Sequence, residues 1–172
     1  MGAYKQISSS FRNEFKSRGD VVKSRLMKWR NEPTLMRVER PTNLARAREL
    51  GYKAKQGVIV VRIKIRKGLR KRAKPRGGRK PSKSGRFFAH EKSFQAMAEE
   101  RAAKKFDNCE VVNSYYVGED GSFKFFETIM VDREHPTVRS DRFYGQVVRR
   151  NNRALRGLTH AGQEHRDSVN KK

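Results

Sequence analysis

The sequence predicts an α+β domain whose small antiparallel sheet follows the order β-α-β-α-β-β, with N-terminal helices and long basic extensions. Three observations lead to this fold class. In residues 58–65 every apolar side chain is β-branched, which is typical of a strand. Residues from about Glu91 onward have apolar side chains at helical spacing. Two further strand-like runs, 111–117 and 123–131, flank the turn 118–121 and predict a hairpin.

Two helices are predicted before the sheet. The apolar residues of the first recur at helical spacing: Tyr4, Ile7, Phe11 and Phe15. The second helix has its own apolar stripe: Val22, Leu26 and Trp29. We expect Gly19 to end the first helix, Asp20 to cap the second and Pro33 to end it. For these aromatic side chains we favour ordinary packing over stacking on nucleic-acid bases.

The first half of the sheet is predicted from two strands joined by a helix. Residues 35–39 alternate weakly and favour a short strand. Pro41 and Thr42 are expected to cap the following helix, which Gly51 closes. Strand 58–65 changes from apolar on both faces to alternating, which puts three basic side chains on one face: Arg62, Lys64 and Arg66. We interpret them as a row that faces phosphates, with a solvated sheet edge as the alternative.

The second half of the domain combines one helix with the hairpin. The apolar face of that helix is formed by five residues: Phe94, Met97, Ala98, Ala102 and Phe106. Glu100 and Lys104 are expected to form a supporting ion pair on it. The hairpin completes the sheet, and the tail after Pro136 is expected to have little to bury.

The composition indicates a polyanionic partner. The chain has 172 residues, with 42 Lys and Arg against 18 Asp and Glu, a net charge of +24 and a pI near 10.9. Such a charge destabilises a compact free state by self-repulsion, and nucleic acid is the commonest polyanion that relieves it. Hydrophobic residues make up only 35%, so we expect part of the chain to order only on its partner.

The charge is segregated along the chain. Residues 50–90 hold fifteen basic and no acidic residues, whereas residues 91–134 carry a net charge of −4. This division is expected when one part packs and the others neutralise phosphates. Five segments follow: N-terminal basic amphipathic helices at 1–33, the first half of the core at 34–65, a basic extension with glycine and proline at 66–90, the helix and hairpin completing the core at 91–134, and a basic C-terminal extension at 135–172.

The most basic stretch is residues 66–86. Its two prolines and four glycines prevent a long helix or a central strand, and almost nothing in it could be buried. We expect it to lie extended beside phosphates. Because the flanking residues are basic too, RNA binding is favoured over a solvated linker or a localisation signal.

Other function classes find little support. No apolar run approaches the roughly 20 residues that span a bilayer, and no apolar signal core is present, so we expect a cytoplasmic protein. The single Cys109 excludes an internal disulfide and a thiolate cluster, and we expect it to be a small buried residue. Two clusters resemble acid-base sites but lack ligand spacing, and the second is typical of turn chemistry: His90 with Glu91, and Asp132 with Glu134 and His135. We therefore expect no enzyme, cofactor, metal or small-molecule substrate.

Several sequence blocks carry a resemblance that goes beyond composition. They follow one another along most of the chain: LGYKAKQG at 50–57 running into the strand and RKG at 66–68, AEERA at 98–102, NSYYVGED at 113–120, KFFE at 124–127 with VD at 131–132, and LRGLTHAG at 155–162. Together they resemble the signature of the eukaryotic/archaeal-type large-subunit ribosomal protein fifteen family.

The resemblance implies a sheet of order 1-2-4-3, burial in large-subunit rRNA beside neighbouring ribosomal proteins, and no catalysis. Two regions depart from the family: Glu164 and Asp167 lie where many relatives continue as a long basic tail, and the loop 75–88 matches only in character. By position, the RNA-embedded parts of the family correspond to Lys53, Lys55, the extension 62–86, and Arg149, Arg150, Arg153 and Arg156.

The predicted function is that of a structural constituent of the large ribosomal subunit, which stabilises folded rRNA through phosphate contacts. Two other hypotheses remain open: an RNA-processing or RNA-modifying enzyme that uses the acid-base clusters, and a DNA-compacting protein without sequence preference. The full set of candidate RNA-binding residues is Arg37, Arg40, Arg46, Arg48, Lys53, Lys55, Arg62, Lys64, Arg66, Lys67, Arg70, Lys71, Arg72, Lys74, Arg76, Arg79, Lys80, Lys83, Arg86, Arg149, Arg150, Arg153 and Arg156.

Overall fold

The computed structural model describes residues 2–71, 76–78, 87–88 and 92–170. The helices and strands follow the chain in this order: α1 (Ala3–Ser17), α2 (Asp20–Asn31), β1 (Leu35–Val38), α3 (Leu44–Glu49), β2 (Val58–Arg66), β3 (Arg70–Lys71), β4 (Phe87–Phe88), α4 (Phe94–Lys105), β5 (Cys109–Glu119), β6 (Phe123–Asp132), α5 (Pro136–Arg139), α6 (Arg142–Val148) and α7 (His160–Asn170). This order confirms the predicted α+β class. None of the described helices is both long and apolar enough to cross a membrane.

The main sheet has four antiparallel strands in the order β1-β2-β6-β5. Counted along the chain within this sheet, the order is 1-2-4-3, as the resemblance implied. The central strand β6 pairs with β2, where Arg62 lies opposite Glu127, and with β5, where Tyr115 lies opposite the same Glu127. Glu127 therefore occupies the middle of the sheet. A separate two-stranded ribbon pairs β3 with β4 in the basic region.

Strand β6 is covered on both faces, because residues 125–131 are all buried. On one face Phe125 packs against Trp29 of α2, with 5.4 Å between the ring centroids. Residues from α3, α5 and α6 join the core on this side. On the other face Phe126 lies in a second core with Ala98 and other residues of α4. Helices on both sides of the sheet explain why β6 lacks a simple apolar-polar alternation.

The caps of α2 and α3 differ from the prediction. Helix α2 is capped by Gly19 without a side-chain hydrogen bond, and Asp20 is its first residue, so the predicted cap at Asp20 is wrong. A carboxylate in the first turn still interacts favourably with the helix dipole. The cap of α3 is Asn43, whose side chain accepts a hydrogen bond from the Arg46 amide at 3.0 Å. Thr42, the predicted cap, instead bonds to strand β6.

Helix α4 begins at a serine cap. The Ser93 hydroxyl accepts a hydrogen bond from the amide three residues later at 3.2 Å, whereas the predicted start near Glu91 falls outside the described residues. Glu100 pairs with Lys92 at 2.5 Å, and the predicted pair with Lys104 is wrong. Lys92, which lies just before the helix, therefore takes the place that the prediction gave to Lys104.

The hairpin strands are longer than predicted and the turn is shorter. Strand β5 continues through Glu119, so the predicted turn residues 118–119 pair with β6. The remaining turn is held by Asp120, whose Oδ1 accepts hydrogen bonds from the amides of Ser122 at 2.7 Å and Phe123 at 2.6 Å. An aspartate that bonds to the backbone two and three residues on can replace a longer turn.

The segment after Pro136 packs against the core, and the expectation that it has little to bury is wrong. Val138 of α5 and Tyr144 of α6 are 1% and 0% exposed. The Tyr144 hydroxyl donates a 2.7 Å hydrogen bond to the Gly51 carbonyl. Gly51 closes α3 as predicted, with a φ of 95°. A Cβ at Gly51 would lie 2.9 Å from the Phe143 ring, so the close approach of α6 also requires glycine.

Candidate nucleic-acid interface

Three buried glutamates accept hydrogen bonds that link different parts of the chain in the core. Because they are buried, fewer acidic groups lie at the surface. The first is Glu127, which is 0% exposed. It accepts hydrogen bonds from the Thr42 amide at 2.9 Å and from the hydroxyls of Thr42 and Tyr115, each at 2.5 Å. Arg62 Nη1 lies 3.7 Å away. Burial and the Glu127 charge raise the pKa of Tyr115 far above its ordinary value, so the phenol remains a donor.

Glu99 on α4 and Glu110 on β5 fasten the C-terminal part of the chain. Glu99 accepts hydrogen bonds from the hydroxyls of Ser114 and Thr159, and burial raises its pKa above the ordinary value. Glu110 accepts hydrogen bonds from the amides of residues 152–153 at 2.7 and 3.2 Å. Both carboxylates therefore fix the segment before α7 against the sheet and α4.

The three basic residues of β2 lie on one face, as predicted, but in different surroundings. Arg62 pairs with Glu32 at 2.8 Å and lies 4.7 Å from the centroid of the Trp29 ring. The Lys64 ammonium donates to two backbone carbonyls at the end of α2. Arg66 is exposed. Arg62 and Lys64 bond to groups of the protein itself. Of the three predicted phosphate-facing residues, only Arg66 is therefore exposed to a ligand.

Lys53 and Lys55 meet at a single carboxylate. Each ammonium lies 2.9 Å from Asp141 Oδ2, and each side chain is nearly half exposed. The other oxygen of Asp141 caps α6 by accepting from the amides of residues 143–144. The two lysines hold the pKa of Asp141 well below its usual range. The fold thus brings these two candidate residues together, with an anion already between them.

The four candidate arginines near β1 and α3 are all exposed: Arg37, Arg40, Arg46 and Arg48. Arg46 forms an ion pair with Glu49 at 2.8 Å. The Arg48 guanidinium lies 5.4 Å from the centroid of the Tyr4 ring. Arg37 and Arg40 make no side-chain hydrogen bond or ion pair with another residue that the structure describes. These two are therefore the freer cations of the group.

The C-terminal candidate arginines also differ. Arg153 is partly buried and donates to the Val111 carbonyl at 2.6 Å, and burial lowers its pKa below the ordinary value. Arg156 donates to the Asn151 carbonyl at 3.3 Å. Arg150 is exposed and makes no side-chain hydrogen bond within the described part of the chain. Arg153 thus holds the loop to β5, whereas Arg150 faces solvent.

A cleft of about 500 Å³ contains arginines that the sequence did not single out. Arg149 lines it together with Arg133 and Arg139. The Arg139 guanidinium donates to the Arg133 carbonyl at 2.9 Å, which ties the two segments together. Arg133 lies in the segment with net negative charge and Arg139 in the basic C-terminal extension, so only the fold reveals their proximity.

The basic stretch 66–86 is described only in part. Lys67 pairs with Glu119 at 3.0 Å, and Arg76 is exposed. Pairing of Arg70 and Lys71 with residues 87–88 brings the two ends of the stretch side by side. The other candidates of this stretch lie outside the described residues: Arg72, Lys74, Arg79, Lys80, Lys83 and Arg86.

The described residues that suggested catalysis have structural roles. Cys109 is buried, and burial raises the pKa of its thiol to about 11, which keeps it protonated near neutral pH. Asp132 accepts a hydrogen bond from the Glu134 amide at 3.0 Å, and His135 Nδ1 accepts one from a backbone amide at 3.3 Å. These bonds confirm the interpretation as turn chemistry. The cluster at 90–91 lies outside the described residues, among which no group of three or more potential ligands could hold a metal.

Comparison with known protein families decides what kind of protein this is. The family model described as Ribosomal L15 matches residues 2–172, the whole chain apart from its first residue. The chain belongs to the Ribosomal L15 family. The resemblance carried by the sequence blocks is therefore confirmed. Ribosomal L15 proteins of this family are structural proteins of the large ribosomal subunit, associated with rRNA and other ribosomal proteins, and they are typically not enzymes.

Proposed function

We propose that this Ribosomal L15 protein binds and stabilises folded large-subunit rRNA by neutralising phosphates, without catalysis, cofactor or metal. The observation that carries the proposal is the separation of charge. Residues 50–90 contain fifteen basic and no acidic residues, while Glu99, Glu110 and Glu127 are buried. Acids held in the core leave a surface that attracts a polyanion more strongly than the composition alone implies. We propose that it acts in cytoplasmic ribosomes, in contact with neighbouring ribosomal proteins.

We assign the basic residues to two roles. Arg62, Lys64 and Arg153 stabilise the core, because their side chains bond to groups inside the protein. Exposed arginines form two bonds at a time with phosphate oxygens. We propose this second role for the exposed candidates without a described side-chain partner: Arg37, Arg40, Arg66, Arg76, Arg149 and Arg150.

The rigid core adds to the strength of such contacts. Because the sheet and its buried glutamates fix the exposed arginines relative to one another, less freedom is lost when RNA binds. Each neutralised phosphate also releases condensed counterions, so affinity should fall steeply as salt rises. Recognition then depends mainly on the shape of the folded RNA and the spacing of its phosphates.

Sedimentation of the tagged protein from gently lysed cells tests the proposed role. We expect it to co-sediment with the large subunit in a sucrose gradient and to remain there after a high-salt wash. Recovery in the light fractions would contradict the proposal. Equal affinity of the purified protein for duplex DNA and structured rRNA would instead favour a DNA-compacting protein.

Matched variants test the division of roles. The triple variant Arg37→Gln, Arg40→Gln and Arg150→Gln should reduce the slope of log affinity against log salt by roughly two to three, since each lost phosphate contact contributes about 0.7–0.9. The control removes three exposed charges from α4: Arg101→Gln, Lys104→Gln and Lys105→Gln. Equal reductions in both variants would show that binding follows total charge rather than the assigned arginines.

A further inference from the structure

An aromatic cavity of about 400 Å³ lies between α1, α2 and the end of β5. Phe11 and Phe15 of α1 line it, with 5.0 Å between their ring centroids. Tyr116 of β5 lines the same cavity and is 46% exposed. The two phenylalanines also pack on the core, as the sequence predicted, and Tyr116 contacts Phe126 of the other core edge to face, with 5.9 Å between the ring centroids, while nearly half of Tyr116 stays exposed. The cavity thus combines three aromatic rings with access to solvent.

Three cations surround these rings. Arg12, Lys16 and Arg18 line the cavity, and their side chains make no hydrogen bond or ion pair with another described residue. Arg12 and Lys16 are about 6 Å apart along the helix axis, one turn of α1. Arg18 follows the helix in the left-handed region, with a φ of 48°. The three charges are therefore available to an anionic ligand.

Among the described residues, one acidic side chain lines the cavity, Glu119, and it does not cancel these charges. The Glu119 carboxylate is 3.0 Å from Lys67 and 3.7 Å from Lys124. Its hydrogen bond and ion pair with Lys67 hold the pKa of Glu119 below the ordinary value, so it stays charged and paired at neutral pH. Because Glu119 is already neutralised by two lysines, the field at the cavity remains positive.

The chemistry of the cavity fits an unpaired nucleotide. Proteins bind bases of single-stranded or bulged RNA by stacking them on aromatic side chains while cations hold the adjacent phosphates. A volume of about 400 Å³ lies within the range of small-ligand sites and accommodates a base with its sugar. An acidic peptide would match the charge, but it would use the flat aromatic faces less well.

We propose that this cavity receives one unpaired base of an RNA, stacked on Phe15 or Tyr116, with the flanking phosphates on Arg12, Lys16 and Arg18. The inference rests on the proposed rRNA binding and adds to it a site at which a base, rather than only the backbone, is held. None of these five residues is among the phosphate-binding candidates derived from the sequence. Binding here does not require the base to be identified by its edges, because every base has a face for stacking.

A bulged-base experiment tests the site. The probes are an RNA hairpin with one bulged 2-aminopurine and the same hairpin with an abasic nucleotide at that position. The wild-type protein should quench the 2-aminopurine fluorescence and bind this hairpin about tenfold more tightly than the abasic one, the effect expected from stacking one base. The double variant Phe15→Leu and Tyr116→Leu should lose the quenching and the preference, with its fold checked by circular dichroism. Tyr4→Leu is the control, an exposed aromatic of α1 that does not line the cavity.

The outcomes separate this inference from the proposed function. If wild type binds both hairpins equally, or if the double variant keeps the preference, the base site is wrong and rRNA binding stands. If the protein binds neither the hairpins nor an rRNA fragment, both the base site and the proposed rRNA binding are wrong. A second measurement places the photo-cross-linker p-benzoylphenylalanine at position 116 in cells. A cross-link to rRNA supports the base site, whereas a cross-link to a protein alone overturns it in favour of a peptide.

Discussion

The hydroxyl of Tyr115 donates a 2.5 Å hydrogen bond to Glu127 directly across the β5–β6 ladder, where the two side chains are 3% and 0% exposed. The same carboxylate accepts two hydrogen bonds from Thr42, just before α3. One acidic side chain therefore joins three parts of the chain at the centre of the sheet. A buried carboxylate is tolerated only when its lone pairs are satisfied in this way.

Loss of this carboxylate should strongly destabilise the protein. Glu127→Ala leaves the buried Tyr115 hydroxyl and the partly buried donors of Thr42 without an acceptor and should cost about 3 kcal/mol of unfolding free energy, measured by urea denaturation. Glu49→Ala is the control, because Glu49 is exposed and its pair with Arg46 should contribute less than about 1 kcal/mol. Similar losses in the two variants would contradict a central role for Glu127.

Stability should depend on the protonation of Glu99. Because burial raises the folded-state pKa, the folded protein binds this proton more tightly than the unfolded chain does. The resulting stabilisation is fully present below the ordinary value of 4.5 and is lost as pH rises through the folded-state pKa. Glu99→Gln should therefore gain stability relative to wild type as pH increases from 4.5 to 7.5 in urea denaturation. A difference that stays constant over this range would contradict the prediction.

Removing the charge of Asp141 should strengthen RNA binding. Asparagine can still cap α6, but it no longer pairs with Lys53 and Lys55, which become available to phosphates. Asp141→Asn should bind an rRNA fragment more tightly and increase the salt slope by roughly one to two. Asp107→Asn, an exposed aspartate without a described side-chain partner, controls for the change in net charge. An equal gain in the control would mean that the two lysines are not involved.

Two glycines of the hairpin should respond differently to alanine. A Cβ at Gly118 would lie 2.3 Å from the ring of Phe15, so Gly118→Ala must displace that ring and α1 with it. We expect a loss of about 1–3 kcal/mol in thermal or urea unfolding. Gly121 has open space around it, and Gly121→Ala should change stability by less than about 0.5 kcal/mol. Equal effects would show that the contact of α1 with the hairpin is weak in solution.

Local patterns predicted much of the fold. Three predictions were correct: the β-branched run that forms β2, the β5–β6 hairpin and the glycine that closes α3. Each depends on residues that are neighbours in the sequence. The buried C-terminal part was missed because its apolar residues are few and fall in short helices. Val138, Tyr144 and Val147 are buried, yet no window around them shows a long periodic stripe.

The sequence predicted which basic residues the chain contains, but not which of them lie free at the surface. Charge along the chain identifies a basic protein, whereas the use of each cation depends on residues far away. Lys53 meets Asp141 across 88 residues, and Arg62 meets Glu32 across 30. No periodicity encodes such pairs, so the sequence could not separate the arginines that hold the core from those that face solvent. The cavity beside Tyr116 was missed for the same reason, because α1 and β5 meet only in the folded chain.

The order of the strands also determines when the protein can be completed during synthesis. Strand β6 lies between β2 and β5, although it is the last of the four to be made. Until β6 emerges, β2 has an open edge toward the centre of the sheet. The hydrogen-bond donors of Glu99 and Glu110 in residues 152–159 are made later still. The growing chain meanwhile already displays the fifteen cations of residues 50–90. The sheet therefore cannot be completed before β6 is made, and until then the nascent chain exposes both its basic segment and an open strand edge, which is a site for unwanted pairing.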